Sequence, residues 1–188
     1  MRSTSRRLGI AGLLFAGTLA IAAPATAQTG GSGPPGSTST TTSPAPSGTA
    51  QIQPGGTAVA PSNAPKPVRK AINAANRIHT RPYVWGGGHR SFKSRGYDCS
   101  GSVSYVLHAA GLLRSPLVSG AFATRWGAPG VGQWITVYAN ARHVWMTVAG
   151  LRFDTSSAGE SVNQGSGPRW RYTMRSGSGY TARFYPGL

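Results

Sequence analysis

Acidic side chains are almost missing from this 188-residue chain: Asp98, Asp154 and Glu160 stand against 19 lysines and arginines, a formal net charge of +16. Three isolated carboxylates supply neither a calcium loop nor the carboxylate pair that glycoside hydrolysis requires. Cysteine is scarcer still, with Cys99 alone. That excludes a disulfide within the chain, and with four dispersed histidines it leaves no zinc-ligand spacing, so no metal or other cofactor is expected. The glycine run Gly86–Gly88 lacks the Lys-Ser/Thr continuation of a phosphate-binding loop. Between Gln28 and Pro65 there is no charged residue at all, and no internal repeat is visible along the chain.

Long apolar runs are also missing beyond the first thirty residues. The opening segment has a basic start (Arg2, Arg6, Arg7), an apolar stretch from Leu8 to Ala23, and small residues at Ala25 and Ala27. This is the pattern of a secretory signal peptide over residues 1–27, cleaved before Gln28. A membrane anchor is the other reading, but the stretch falls short of the roughly 20 residues a spanning helix needs, so no stable membrane insertion is expected after cleavage. Residues 28–66, dominated by Gly, Ser, Thr, Pro and Ala, have too little apolar bulk to repay ordering and are expected to form a disordered linker. Residues 67–188 suffice for one compact domain.

Within that domain Val68, Ala71, Ile72, Ala75 and Ile78 recur at helical spacing, and Pro82 ends the pattern. The Gly86–Gly88 loop follows. A second helix is predicted from Cys99 to about Gly111, with Val103, Val106, Leu107 and Ala110 on the side of Cys99; His108 lies about 180° away. Short runs rich in aromatic and β-branched residues then start at Gln133, His143, Leu151, Arg169 and Thr181, predicting an antiparallel sheet of about five strands. Helices first and strands afterwards make the fold α+β.

A lone buried cysteine is most often inert packing. Here the sulfur falls at a helix N-terminus, where unpaired N–H groups favour thiolate, and its neighbours in "DCSG" are small enough to admit a substrate. Cys99 is therefore a candidate nucleophile. Of the histidines, His79 ends the first helix, His108 faces away, and His89 sits in the glycine-rich loop. His143 opens an apolar strand, the more rigid support for a base. A third group could orient it. If Ala149 and Gly150 form a two-residue turn, Val148 opposes Leu151 and Asp154 comes diagonal to His143 on the same face; one register step longer puts Asp154 opposite Thr147 and out of reach. Asp154 as a surface carboxylate remains the alternative.

"PYVWGGG", "YDCSGSVSYVLHAAGLL" and "ARHVWMTVAGLRFDTS" together resemble the NlpC/P60 cysteine peptidases of bacterial cell walls across residues 67–188. The resemblance implies a papain-like core in which the nucleophile helix packs on the sheet carrying the base. It implies Cys99 as nucleophile, His143 as base and Asp154 at the position of the variable third member. It also implies Tyr83 beside the nucleophile, with Asp98 and Ser100 binding polar or amino groups of the substrate, although either could equally cap the helix. The implied activity is hydrolysis of amide bonds in peptidoglycan stem peptides, at the γ-D-glutamyl to diamino-acid bond, by a secreted, wall-associated monomer. A non-catalytic cationic wall-binding protein and an amidase or acyltransferase with the same dyad are the alternatives. The positive charge suits anionic wall polymers. Its arginines are scattered rather than set among stacking aromatics, so nucleic acid is not expected.

Overall fold

The computed structural model describes residues 48–160 and 165–188. The expected signal peptide, and the linker as far as residue 47, lie outside the described residues. From residue 50 onward the chain departs from the linker expectation. Strands β1 (Gln51–Ile52) and β2 (Ala58–Val59) pair antiparallel, and Ala50, Ala58 and Ala64 are buried. Asn76 holds this hairpin through its amide, which donates to Ala58 O and accepts from Ala58 N, both at 2.8 Å. Small residues with no charge read as linker in sequence. Here they fold because a distant side chain satisfies their backbone, which composition cannot report.

Helix α1 (Lys66–Ile78) buries Val68, Ala71, Ile72, Ala75 and Ile78, the stripe expected from spacing, together with Ala74. Helix α2 (Cys99–Ala109) packs against α1 and is capped by Asp98, whose carboxylate accepts from Gly101 N. Helix α3 (Ser119–Arg125) has no counterpart in the sequence reading. Its seven residues are too few to show a periodic stripe.

The sheet is antiparallel and α2 lies against it. It contains β3 (Ala128–Pro129), β4 (Ile135–Ala139), β5 (Val144–Val148), β6 (Leu151–Asp154), β7 (Arg169–Arg171) and β8 (Thr181–Phe184), in the order β3-β8-β4-β5-β6-β7. The five expected runs are all present, and the two-residue edge strand β3 is added. The β5–β6 turn is the two-residue one, with Ala149 at φ 47° and Gly150 at φ 80°, and Val148 opposes Leu151. Primed turns of this kind match the right-handed twist of the strands they join. That register sends Asp154 toward His143.

Two arginines are buried: Arg152 and Arg171 are each 1% exposed. Arg152 is satisfied by Asp154 and by the carbonyls of Ser156, Ala158 and Thr173. Such pairing offsets the cost of burying a guanidinium.

The glycine-rich loop rests on the first turn of α2. Gly87 O occupies the space that a side chain at position 101 would need, 1.8 Å from an ideal Cβ. The loop is held there by Asp98 N donating to Gly87 O and Gly86 N donating to Asp98 Oδ2. Gly101→Ala must push backbone apart, with an expected destabilisation of about 3 kcal/mol. Thermal denaturation checks it, and an unchanged Tm would show that the loop moves freely.

Candidate active site

Three of the expected residues lie at the start of α2, just before β5 and at the end of β6. Cys99 begins α2 and is 8% exposed, its Sγ 3.5 Å from Ser119 Oγ on α3. His143 precedes β5, and its Nε2 donates to Asp154 Oδ1 at 2.8 Å. That bond leaves Nδ1 as the free ring nitrogen, and the charges of the imidazole and the Cys99 sulfur act on one another. Tyr180 meets the His143 ring edge-on at 6.4 Å, restricting its rotation from the other side.

Asp154 is filled on both oxygens. Oδ1 accepts from His143 and from Ser156 N; Oδ2 accepts from Arg152 Nε and Nη2 at 3.1 and 2.6 Å and from Arg175 Nη1 at 3.4 Å. The carboxylate is fully buried. The surface alternative for Asp154 is thus excluded by its position. Ser119, Arg152 and Arg175 were absent from the sequence-derived site. The alternation that places Arg152 and Asp154 on one face was visible once β6 was recognised, but an arginine directed inward was not.

The electrostatics favour separated charge. Burial alone would raise the Cys99 thiol, but hydrogen bonds from His143 and Ser119 and the imidazole's charge outweigh it and leave the thiol lowered. Burial alone would lower His143, but the bonds to Asp154 and Cys99 push it up to about 9. Asp154 is likewise lowered despite its burial, by His143, Ser156 and Arg152. Both shifts run in the direction that favours thiolate beside imidazolium. Iodoacetamide alkylation of Cys99 is expected to have its midpoint below the ~8.5 of a free thiol. A midpoint at or above that value would remove the ion pair.

The flanking residues divide. A parallel bridge between Tyr83 and Tyr97 carries Tyr83 alongside the start of α2. Burial, then the nearby charges of Cys99 and Asp98, raise its hydroxyl, so it stays a neutral donor. Asp98 takes up the capping role. Its two oxygens accept from Gly86 N, Gly101 N, Ser100 Oγ and His89 Nε2, which fills the roughly four acceptor sites of a carboxylate. It caps the helix and anchors the loop, and it also lines the cleft over Cys99. Ser100 Oγ also lies 2.9 Å from His89 Nε2, so the loop histidine is fixed by the cap.

His79 bonds the Asn76 and Gly55 carbonyls, and His108 stacks on Phe92 at 3.8 Å, so neither approaches the sulfur. A cleft of about 640 Å³ opens over the site, lined among others by Trp85, His89, Cys99, Ser100, Ser119 and Arg142. Among the described residues no cluster of His, Cys, Asp and Glu could hold a metal ion, and no helix is long and apolar enough to cross a membrane.

No family model and no curated protein matches the chain. Solved structures do. An NlpC/P60 family protein from Bacillus cereus aligns with 63% of this chain and 40% of its own length, at 21% identity and a TM-score of 0.46. The chain is similar to NlpC/P60 structures. A structure of a mutated Resuscitation Promoting Factor Interacting protein RipA aligns with 65% of this chain and 66% of its own, at 21% identity and TM-score 0.44. A hypothetical invasion protein of Mycobacterium tuberculosis aligns with 75% and 70%, at 21% and 0.46. The chain thus spans less than half of the NlpC/P60 protein and about two thirds of the RipA structure. The α+β class rests on this chain's own helices and sheet, and the NlpC/P60 likeness accompanies it.

Proposed function

We propose that this protein is a secreted cysteine hydrolase that cleaves amide bonds in peptidoglycan stem peptides, at the γ-D-glutamyl to diamino-acid bond. The observation that carries the reading is the His143–Asp154 hydrogen bond together with Cys99 beneath an open cleft, with thiol and imidazole shifted toward the ion pair.

In the proposed reaction Cys99 Sγ attacks the amide carbonyl carbon and the carbonyl electron pair moves onto oxygen. The Cys99 N–H, unpaired at the helix start, and the Tyr83 hydroxyl are the oxyanion donors. As the C–N bond breaks, imidazolium Nδ1–H passes its proton to the departing amine and leaves a thioester. Water, losing a proton to His143, attacks the thioester; its collapse restores thiolate and imidazolium and releases a carboxylic acid. Asp154 holds the tautomer throughout. Ser100 contacts the substrate, and Asp98 acts through the cap. The signal segment 1–27 is proposed to export the chain to the wall as a monomer.

The test is mass spectrometry of muropeptides digested with the secreted chain. Stems split at the γ-D-glutamyl bond are expected, with kcat/KM falling on the alkaline side as His143 loses its proton near pH 9. Intact stems with salt-sensitive sedimentation on walls would leave a cationic binding protein. A different scissile bond, or an acylated product, would make it an amidase or acyltransferase.

A further inference from the structure

A second cavity, of about 410 Å³, shares no lining residue with the cleft over Cys99. Arg77, Arg81 and Lys93 surround it, all exposed, and Ile78, Tyr97 and Tyr105 contribute to its wall. Arg77 is held by its Nε donating to the Tyr105 hydroxyl at 3.2 Å, with the guanidinium 6.0 Å from that ring's centre. The Tyr105 hydroxyl thereby accepts a bond while its own proton has no acceptor among the described residues. The Tyr97 hydroxyl is fixed by Ser94 N and by Phe92 O.

Three cations around one hollow ordinarily call for carboxylates. None is available. The chain has three acidic side chains: Asp98 is taken by His89, Asp154 by His143, Arg152 and Arg175, and Glu160 faces Arg152 and accepts from Thr173 N. The positive charge of this cavity is therefore uncompensated by any side chain of the protein. Two guanidinium forks, an ammonium and a free hydroxyl proton form a donor set suited to a phosphate group.

We propose that this cavity binds phosphodiester groups of a polyol polymer, holding the enzyme on its matrix at a point separate from the cleft. Nucleic acid fits poorly, because Tyr97 is 2% exposed and the half-buried Tyr105 ring already has Arg77 over it and Tyr97 against it, leaving little open face for a base to stack on. A phospholipid surface also fits poorly: none of the large apolar side chains exposed on this protein lines the cavity, so nothing there would enter a bilayer. The inference shares with the proposed function only the wall as location, and the hydrolytic step plays no part in it.

The experiment is calorimetric titration of the full secreted chain with a glycerol-phosphate oligomer, against oligoglutamate of equal charge. Arms with inorganic phosphate, phosphatidylglycerol vesicles and an oligonucleotide of equal charge run alongside. The wild type is expected to prefer the phosphate oligomer over every other arm. The variant R77Q/R81Q/K93Q should lose on the order of tenfold in affinity per cation. K70Q/R114Q/R125Q, with the same charge change at exposed sites elsewhere, should lose only a few-fold. Equal losses in the two variants would reduce the effect to net charge and overturn the site, as would equal or tighter binding in any comparison arm. Stem-peptide cleavage measured in parallel keeps the readings apart: the cavity variant should cleave small stems like the wild type, and absent cleavage would count against the hydrolase alone.

Discussion

Alanine at Cys99 is expected to reduce stem-peptide hydrolysis by at least about 10⁴-fold, since removing the nucleophile of a comparable hydrolase leaves only the catalysis of binding and oxyanion donors. The fold should survive. The side chain shrinks by one sulfur, the 3.5 Å contact to Ser119 is a weak one, and the His143–Asp154 bond does not depend on it. Serine at the same position is nearly as inactive, because an alcohol cannot give up its proton to form the ion pair that the thiol forms. Residual activity in the serine variant above about a hundredth of wild type would mean that His143 works as a general base on a neutral nucleophile. Full activity in the alanine variant would end the covalent mechanism. Steady-state kinetics with a defined stem peptide, alongside Tm, checks both variants.

Asp154→Asn is expected to damage catalysis and stability together. An amide offers one acceptor and one donor where the carboxylate offered two acceptors. With its oxygen turned to Arg152, its NH₂ faces His143 Nε2 and forces the proton onto Nδ1, the nitrogen that must take a proton from the nucleophile's side. The wrong tautomer costs about 10⁴ in kcat in a related constellation. Turned the other way, the NH₂ meets the buried guanidinium of Arg152, which then keeps its three backbone carbonyls but, as a carboxylate partner, only the more distant Glu160 at 3.6 Å. A buried charge deprived of its partner is destabilising by about 3 kcal/mol.

The pH dependence has a definite sign. Asp154 is lowered in the fold, so its contribution is present above its unfolded pKa and is lost as pH falls through the folded one. His143 is raised to about 9, so its contribution is complete below its unfolded value of ~6.5 and is lost as pH rises through about 9. The Tm difference between wild type and variant is thus largest from about pH 4 to 6.5 and shrinks toward alkaline pH. A difference independent of pH would remove the His143–Asp154 coupling.

Much of this arrangement was legible in order along the chain. The apolar spacing from Val68 to Ile78 and the aromatic and β-branched runs after residue 133 specify helices and strands through local periodicity. "DCSG" ahead of a helical stripe places sulfur at a helix start. The Ala149-Gly150 pair offered the two-residue turn as one of two registers, and the structure chose it, setting the face on which Asp154 lies. Other parts were not legible. The 50–64 hairpin depends on Asn76, α3 is too short to show a period, and Arg152 looks like any surface arginine until Asp154 is buried beside it.

The sequence by itself determined the α+β order of elements, the single thiol, the scarcity of acid and the register option that could join Asp154 to His143, because each is a property of neighbours a few residues apart. Tertiary structure alone decided that Asp154 is buried and doubly clamped, that Asp98 is saturated by four donors, and that Arg77, Arg81 and Lys93 share a cavity without a carboxylate. Those outcomes depend on which distant groups meet after folding, and charge and hydrogen-bond capacity are filled in space rather than along the chain.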